Sequence, residues 1–242
     1  MSSYTYDFHI HSCLSPCGDD EMTPNSIAGM ASLCNIKIAA LTDHNTSKNC
    51  PAFFKACDRY GVVPLAGMEL TTAEDIHVVC LFPTLEQAMS FDSEICRRRI
   101  LIRNKTAVFG NQYIMDEDDN IIGSDDFLLP NATTITLEEA PLLAQSLGGV
   151  CYPAHVDREA NGIIAVLGTF PDISEFKCAE LANAENREKY LNDYPELKKR
   201  RLLVSSDAHY LWHIRDAEAT LELDASGSNQ EIRDALFALL RG

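Results

Sequence analysis

No apolar run in this chain of 242 residues approaches the ~20 residues that a membrane-spanning helix needs. The first residues, Met1 to Asp7, have neither the basic flank nor the apolar stretch of a secretory signal, so the expected compartment is the cytoplasm. Basic residues are scarce as well: 20 Lys and Arg stand against 36 Asp and Glu, a formal net charge of −16. A surface that acidic repels a phosphate backbone at long range and argues against a nucleic-acid polymer as main partner. A small phosphorylated substrate stays open, because bound cations reverse the potential locally. Paired cysteine spacing is missing too. Nine cysteines are an odd number, and they do not read as a disulfide framework. Cys80, Cys151 and Cys178 sit inside apolar runs as small core residues, while Cys13 and Cys17 read as free thiols in a loop. Internal repeats and low-complexity linkers are also lacking.

What is present is a core-forming pattern, with 46% hydrophobic residues. Strands are expected at residues 6–10, 37–42, 62–69, 76–82, 149–153, 176–181, 202–206 and 218–223. Helices are expected from Thr23-Pro24 through Leu33, with Thr23 as N-cap, and at residues 51–60, 138–147 and 229–240. Strands separated by helices imply a parallel sheet with right-handed crossovers, and so many units suggest a closed α/β barrel. The pattern breaks over residues 96–148. There Arg97-Arg98-Arg99 is expected to start a basic helical segment, and apolar stretches flanking Asp116 to Asn120 read as a hairpin. The expected organisation is therefore a barrel domain from residues 1–95 and 149–242, with residues 96–148 inserted over one face.

Six of the seven histidines fall in or just after expected strands. His9 and His11 flank Ile10, and residues two apart in an extended chain point to the same side, so both rings can reach one cation. Thr42-Asp43-His44 and Gly67-Met68-Glu69 end the second and third strands, and His77 lies in the fourth. His155 follows the fifth, and Ser206-Asp207-Ala208-His209 ends the seventh. In a parallel barrel these ends share one rim. One histidine beside a strand is more often structural than functional, and His213 is read that way. Six beside Glu69 and Asp207 are hard to explain as structure, because burying so many titratable groups is costly unless a metal compensates.

His9-Ile10-His11-Ser12, Leu41-Thr42-Asp43-His44, Gly67-Met68-Glu69, His77, Ala154-His155 and Ser206-Asp207-Ala208-His209 together resemble the PHP (polymerase and histidinol phosphatase) family. The likeness is nearest to its stand-alone phosphoesterases and covers nearly the whole chain. The resemblance implies a distorted seven-stranded (β/α) barrel, here with a small inserted subdomain, holding two or three divalent ions (Mn²⁺, Zn²⁺ or Fe²⁺). By position, His9, His11, Glu69 and Asp207 would hold the first. Glu69 would bridge to a second with His77 and His155. A third would lie between His44, His209 and an acidic residue of the loop after the first strand, Asp19 or alternatively Asp20.

The activity so implied is hydrolysis of a small molecule's phosphate ester by a metal-activated hydroxide, with Glu69 and Asp207 orienting the metals and relaying protons. Arg158, where the family often presents a phosphate-contacting arginine, and Asn183, after the sixth strand, are the expected substrate contacts. Arg97, Arg98, Arg99 and Arg103 are expected on a solvated face. Asp43 reads equally as a carboxylate that holds an imidazole tautomer or as a turn cap. The alternatives are a nuclease or phosphodiesterase on polynucleotides, a histidinol-phosphate phosphatase, and a non-catalytic metal-binding module. Substrate identity lies in the rim loops and is not legible from the metal motif.

Overall fold

The structure, a computed structural model, describes residues 1–215 and 219–242. Its strands are β1 (Ser2–Ile10), β2 (Ile38–Leu41), β3 (Val63–Thr71), β4 (His77–Phe82), β5 (Tyr113–Met115), β6 (Ile121–Ser124), β7 (Val150–Pro153), β8 (Cys178–Leu181), β9 (Arg201–Val204) and β10 (Thr220–Leu223). Its helices are α1 (Pro24–Leu33), α2 (Cys50–Tyr60), α3 (Leu85–Arg98), α4 (Thr106–Phe109), α5 (Glu139–Ser146), α6 (Ile163–Leu167), α7 (Arg187–Asp193) and α8 (Asn229–Arg241). Glu218, expected to begin the last strand, lies outside the described residues.

The fold is α/β. β1, β2 and β3 run parallel, joined by α1 and α2 as such crossovers require. The expectation of an all-parallel barrel fails at β4. Residues 72–76 form a tight turn in which Thr72 N–H donates to the Ile76 carbonyl at 2.9 Å. A connection that short can only reverse the chain, so β4 is antiparallel to β3. β4 is antiparallel to β7 as well, and β10 is antiparallel to the first half of β1. The resulting mixed sheet, in the order β10-β1-β2-β3-β4-β7, curls into a half-barrel, with β8 and β9 as a separate parallel pair. A bridge from Ala208 to Ile10 ties the segment after β9 to β1.

Alternation along the strands sorts the apolar side chains into two layers. Tyr6, Phe8, Ile38, Ala40, Leu65, Val79, Leu81, Tyr152 and Leu203 point inward. Ile10, Ala39, Leu41, Ala66, Met68, Val78 and Cys80 point outward against the helices. Helix α8 joins the inward layer through Ile232, Leu236, Phe237 and Leu240. Those four repeat at helical spacing, and a Ser228–Glu231 capping box starts the helix.

β1 departs from strict alternation. Between its pairings Asp7↔Ala39 and Ile10↔Leu41 it advances three residues while β2 advances two. This is a β-bulge, which re-aims the residues that follow it. Phe8 lies in the inner apolar layer, and His9 next to it is also fully buried, facing Glu180. The carboxylate of Asp7 spans the bulge, accepting from His9 N–H at 3.2 Å and Ser206 N–H at 3.1 Å.

Arg97-Arg98-Arg99, expected to open a helix, instead closes α3, with Arg97 and Arg98 in its last turn. Cations are favourable at that end of a helix. Of residues 96–148, α5 belongs to the main core, with Ala140 and Ala144 buried in the outer layer. The chain leaves the sheet between about Arg99 and Thr133, which form an antiparallel bridge to each other. This excursion contains the β5–β6 hairpin and packs on the loops after β1 and β2. Tyr113 N–H donates to Cys13 O, Met115 N–H to Asn49 Oδ1, and Asn45 Nδ2 to Leu129 O.

Phe237 is 1% exposed and Leu33 is 77% exposed. Phe237→Ala is expected to lower the unfolding free energy in urea by about 3–5 kcal/mol. Leu33→Ala should stay within about 0.5 kcal/mol. Equal, small losses would show that α8 does not belong to the core.

Candidate metal centre

The ends of β1, β2, β3, β4 and β7 and the segment after β9 deliver side chains to one buried place. His9, His11 and Glu69 are at most 1% exposed. Glu69 lies at the middle. Its Oε1 is 3.3 Å from His9 Nε2, 2.9 Å from His77 Nδ1 and 3.0 Å from His155 Nε2. Its Oε2 is 3.4 Å from His11 Nε2 and 3.0 Å from His44 Nδ1. Asp207 Oδ1 adds a second carboxylate, 3.4 Å from His9 Nε2 and 3.1 Å from His11 Nε2. The ring of His209 stacks on that of His11, with centroids 4.2 Å apart. Asp207 and His155 hold left-handed backbone angles, φ 49° and φ 27°. Such strain gathers at functional sites.

Hydrogen bonds behind the rings decide which nitrogens face the cluster. His9 Nδ1 lies 2.8 Å from Glu180 Oε1, so its N–H donates there and Nε2 is left with a lone pair. His11 Nδ1 lies 3.0 Å from Ser15 Oγ, whose own hydroxyl donates to Asp43 Oδ1 at 2.7 Å. Ser15 must therefore accept from His11, again leaving Nε2 bare. His209 Nδ1 donates to the Asp207 carbonyl at 2.9 Å, which frees its Nε2 likewise. Asp43 thus acts on His11 through Ser15 rather than on its neighbour His44.

These facing lone pairs test whether cations fit. His9 Nε2 and His11 Nε2 are 3.1 Å apart, with both Nδ1 protons engaged elsewhere. Something positive has to lie between them. Asp207 Oδ1, His44 Nδ1 and His155 Nδ1 are buried without a hydrogen-bond partner, and atoms so placed carry an energetic cost unless coordinated. Among the described residues, three sets converge closely enough for an ion: His9, His11, Glu69 and Asp207; His44, Glu69 and His77; and His11, His44 and His209. Imidazole and carboxylate without thiolate suit Mn²⁺, Zn²⁺ or Fe²⁺. The residues fit the group.

Without an ion, protons take its place. Burial opposes charge on His9, but the carboxylates of Glu180, Asp207 and Glu69 outweigh it and hold the ring well above its ordinary range. His11 is likewise pushed up to about 9 against burial, by Asp207 and Glu69. Burial pushes His44 down to about 4 and His209 down to about 3, and the charge on His11 pushes the same way. Burial opposes ionisation of Glu69 and Asp207, yet the surrounding imidazoles hold both below the usual carboxylate range.

Some expected residues fall elsewhere. Asp19 turns back on its own loop, accepting from Glu21 N–H at 2.8 Å, and Asp20 accepts from Asn111. Neither belongs to the three converging sets; His11 stands where an acidic loop residue was expected. His155 contacts Glu69 at 3.0 Å and its ring lies 5.5 Å from that of His77, but the converging set there is His44, Glu69 and His77, without His155. The guanidinium of Arg158 pairs with Asp207 rather than with Asp157 or Glu159; Asp157 accepts from the Ala182 and Asn183 N–H groups. Asn183 caps the following turn and lines the cleft. Arg97, Arg98, Arg99 and Arg103 pair with Glu94, Glu139, Asp125 and Asp126. Beside the cluster opens a cleft of about 860 Å³, lined among others by Arg158, Asn183, Asp207, His209, Tyr210 and His213. His213, read as structural, is therefore part of its wall.

Glu180, Ser15 and Asp7 went unnoticed in the sequence. A signal for Glu180 existed: in the strand expected at residues 176–181 it shares a face with Cys178, so a charge had to point inward. Asp7 and Ser15 carried none, since their roles depend on the bulge and on a loop conformation.

Comparison with known proteins now bears on this geometry. The sequence model of the PHP domain matches residues 7–192. Among solved structures, the chain is similar to the lesion-specific endonuclease Q of Pyrococcus furiosus at TM-score 0.62 and 19% identity, over 98% of this chain and 56% of that one. It is similar to a candidate metal-dependent phosphoesterase of Bifidobacterium adolescentis at TM-score 0.59 and 16% identity, over 96% and 95%. An amidohydrolase of Chromobacterium violaceum with bound sulfate follows at TM-score 0.57 and 16% identity, over 90% and 91%. The chain thus spans little more than half of the endonuclease. A search of curated proteins finds no match. With most of its length matched and its histidines and carboxylates converging on one buried cluster, the chain belongs to the PHP domain family.

Proposed function

We propose that the protein hydrolyses the phosphate ester of a small molecule, such as a nucleotide or sugar phosphate, with the help of two or three divalent ions. One observation carries this reading: a buried carboxylate, Glu69, lies within 3.4 Å of five imidazoles. His9, His11, Glu69 and Asp207 would hold one ion, and His44, Glu69 and His77 a second, with His155 beside Glu69. His11, His44 and His209 would hold a third. Bound ions of this kind supply an activated water and neutralise charge on phosphoryl oxygens.

The chain's own residues do the rest. Glu180 and the Ser15–Asp43 relay fix the rings of His9 and His11 so that their Nε2 atoms face the ions. Glu69, touching two sets, keeps those sets at a constant separation. Arg158, 43% exposed at its side chain and paired with Asp207, stands at the cleft, where its planar fork suits a phosphate. Asn183 supplies a polar group on the same wall. The six-stranded sheet, the β8–β9 pair and their helices would together be this chain's form of the PHP barrel, one strand more than the seven expected, with the excursion within residues 96–148 as an insertion that braces the loops after β1 and β2.

A second reading, action on a polynucleotide, is favoured by likeness to endonuclease Q, one structure of which holds a 27-mer duplex with an abasic lesion at the active site. Against it stand the net charge of −16 and the pairing of the excursion's arginines with carboxylates. A phosphate-release screen over phosphorylated metabolites with Mn²⁺-loaded protein, run beside cyclic and polymeric phosphodiesters, separates the two. Turnover of a small monoester is expected; cleavage of polymers alone would replace the first reading by the second.

Arg158→Ala is expected to keep its metals, since arginine is not a ligand, and, where bound substrate buries the charge-assisted contact, to lose about 2–5 kcal/mol of transition-state stabilisation in kcat/KM. Arg158→Lys should recover only part. Kinetics with metal content measured on the same samples checks this. Unchanged efficiency at full occupancy would remove Arg158 from the site, and lost metal would make it a support for Asp207.

A further inference from the structure

The turn after His209 is built to display aromatic rings. Leu211–His213 form a short 3-10 turn, anchored by Leu211 against the outer core and by Ile214, which is 3% exposed. With the aliphatic residues turned in, Trp212 between them is turned out, while Tyr210 and His213 stay half-buried. Tyr210 and Trp212 stack on each other, centroids 4.7 Å apart and planes 26° from parallel. His213 stands edge-on to both, at 5.1 Å and 6.0 Å. Trp212 is nevertheless 65% exposed. A lone exposed aromatic needs no explanation. A pre-ordered stack of them, one residue from a cluster histidine, is a different matter.

We propose that Tyr210 and Trp212 form a shelf on which the nucleobase of a phosphorylated substrate stacks, making that substrate a nucleoside phosphate. The inference rests on the phosphoester reading for the phosphate end of the ligand. Tyr210 and His213 line the same cleft as Asp207, His209 and Arg158, and at about 860 Å³ that cleft has more room than a phosphoryl group fills. Arg158 and Tyr210 line the same cleft, so a phosphate at the one and a base on the other belong to one ligand, with Trp212, outside that lining, stacked on Tyr210. A sugar can lay only C–H groups on a flat aromatic surface, whereas every base brings a π face that continues the stack of two near-parallel rings. Ordering the pair beforehand lowers what the ligand must spend on fixing it. Single bases and bases within a strand share this chemistry, and the probes below tell them apart.

Trp212 is the only tryptophan in the chain, so emission excited at 295 nm reports on the shelf alone. The Zn²⁺-loaded protein is titrated with adenosine 5′-monophosphate, with ribose 5-phosphate and with a short single-stranded oligoadenylate. Quenching by adenosine monophosphate and none by ribose 5-phosphate is expected, and Trp212→Ala should weaken nucleotide binding, by calorimetry, about tenfold. Quenching by the oligonucleotide alone keeps the stacking shelf and assigns it to a strand. Equal quenching by nucleotide and sugar phosphate, or none by either base-containing probe, overturns the proposal. The readout needs no turnover. A silent shelf beside normal phosphate release therefore refutes this inference only, while quenching without hydrolysis of any phosphoester refutes the reading beneath it.

Discussion

A carboxylate buried to 1% exposure among five imidazoles is the constraint on which the rest of this structure depends. Removing Glu69 from water is costly, and packing histidines around it adds further polar surface that water no longer satisfies. The arrangement is stable only if positive charge occupies it and if each ring is held with the correct nitrogen inward. Both conditions leave marks in the fold. The bulge in β1 lets His9 share the inner side with Phe8. Glu180 and Ser15 take the outward ring protons. Asp207 and His155 accept left-handed backbone angles in order to reach inward.

Beneath this polar layer the same strands turn apolar, and α8 completes the inner packing with Ile232, Leu236, Phe237 and Leu240. The floor excludes water from below, so electrostatic interactions in the cluster are weakly screened. Access is from the cleft, where Arg158, Asn183 and the aromatic turn lie. On the proposed reading, the chemistry and the selectivity draw on different parts of the chain. The cluster draws mainly on strand ends, and much of the cleft wall draws on the loops after β7, β8 and β9.

Most of the cluster could be read in advance because it follows two simple signals, spacing by two and nearness to strand ends. His9 and His11 are two apart at the end of β1, Glu69 and His77 lie near the joined ends of β3 and β4, and Asp207 follows β9. Their convergence follows from placing those ends together. Three things differ from the expectation. The reversal at β4 has a signal in the sequence, because the strands expected at 62–69 and 76–82 leave only residues 70–75 between them, too few for a crossover to a parallel strand. Asp19, expected as a ligand from the loop after the first strand, lies where that loop folds so that its carboxylate accepts from Glu21 N–H. The relay from His11 through Ser15 to Asp43 exists only once the loop after β1 closes over the end of β2, since nothing in residue spacing separates Asp43 as a partner of His44 from Asp43 as a partner of Ser15.

If Glu69 is the hub, the chain and its metals rise and fall together. Elemental analysis of the purified protein after metal reconstitution, beside Glu69→Ala prepared identically, measures this directly. The account predicts about two or more equivalents of transition metal per chain in the unaltered protein, and loss of most of that metal in the variant, because two converging sets are each deprived of a carboxylate. A reproducible content of about one equivalent or less, or a Glu69→Ala protein that keeps its full complement, would contradict it.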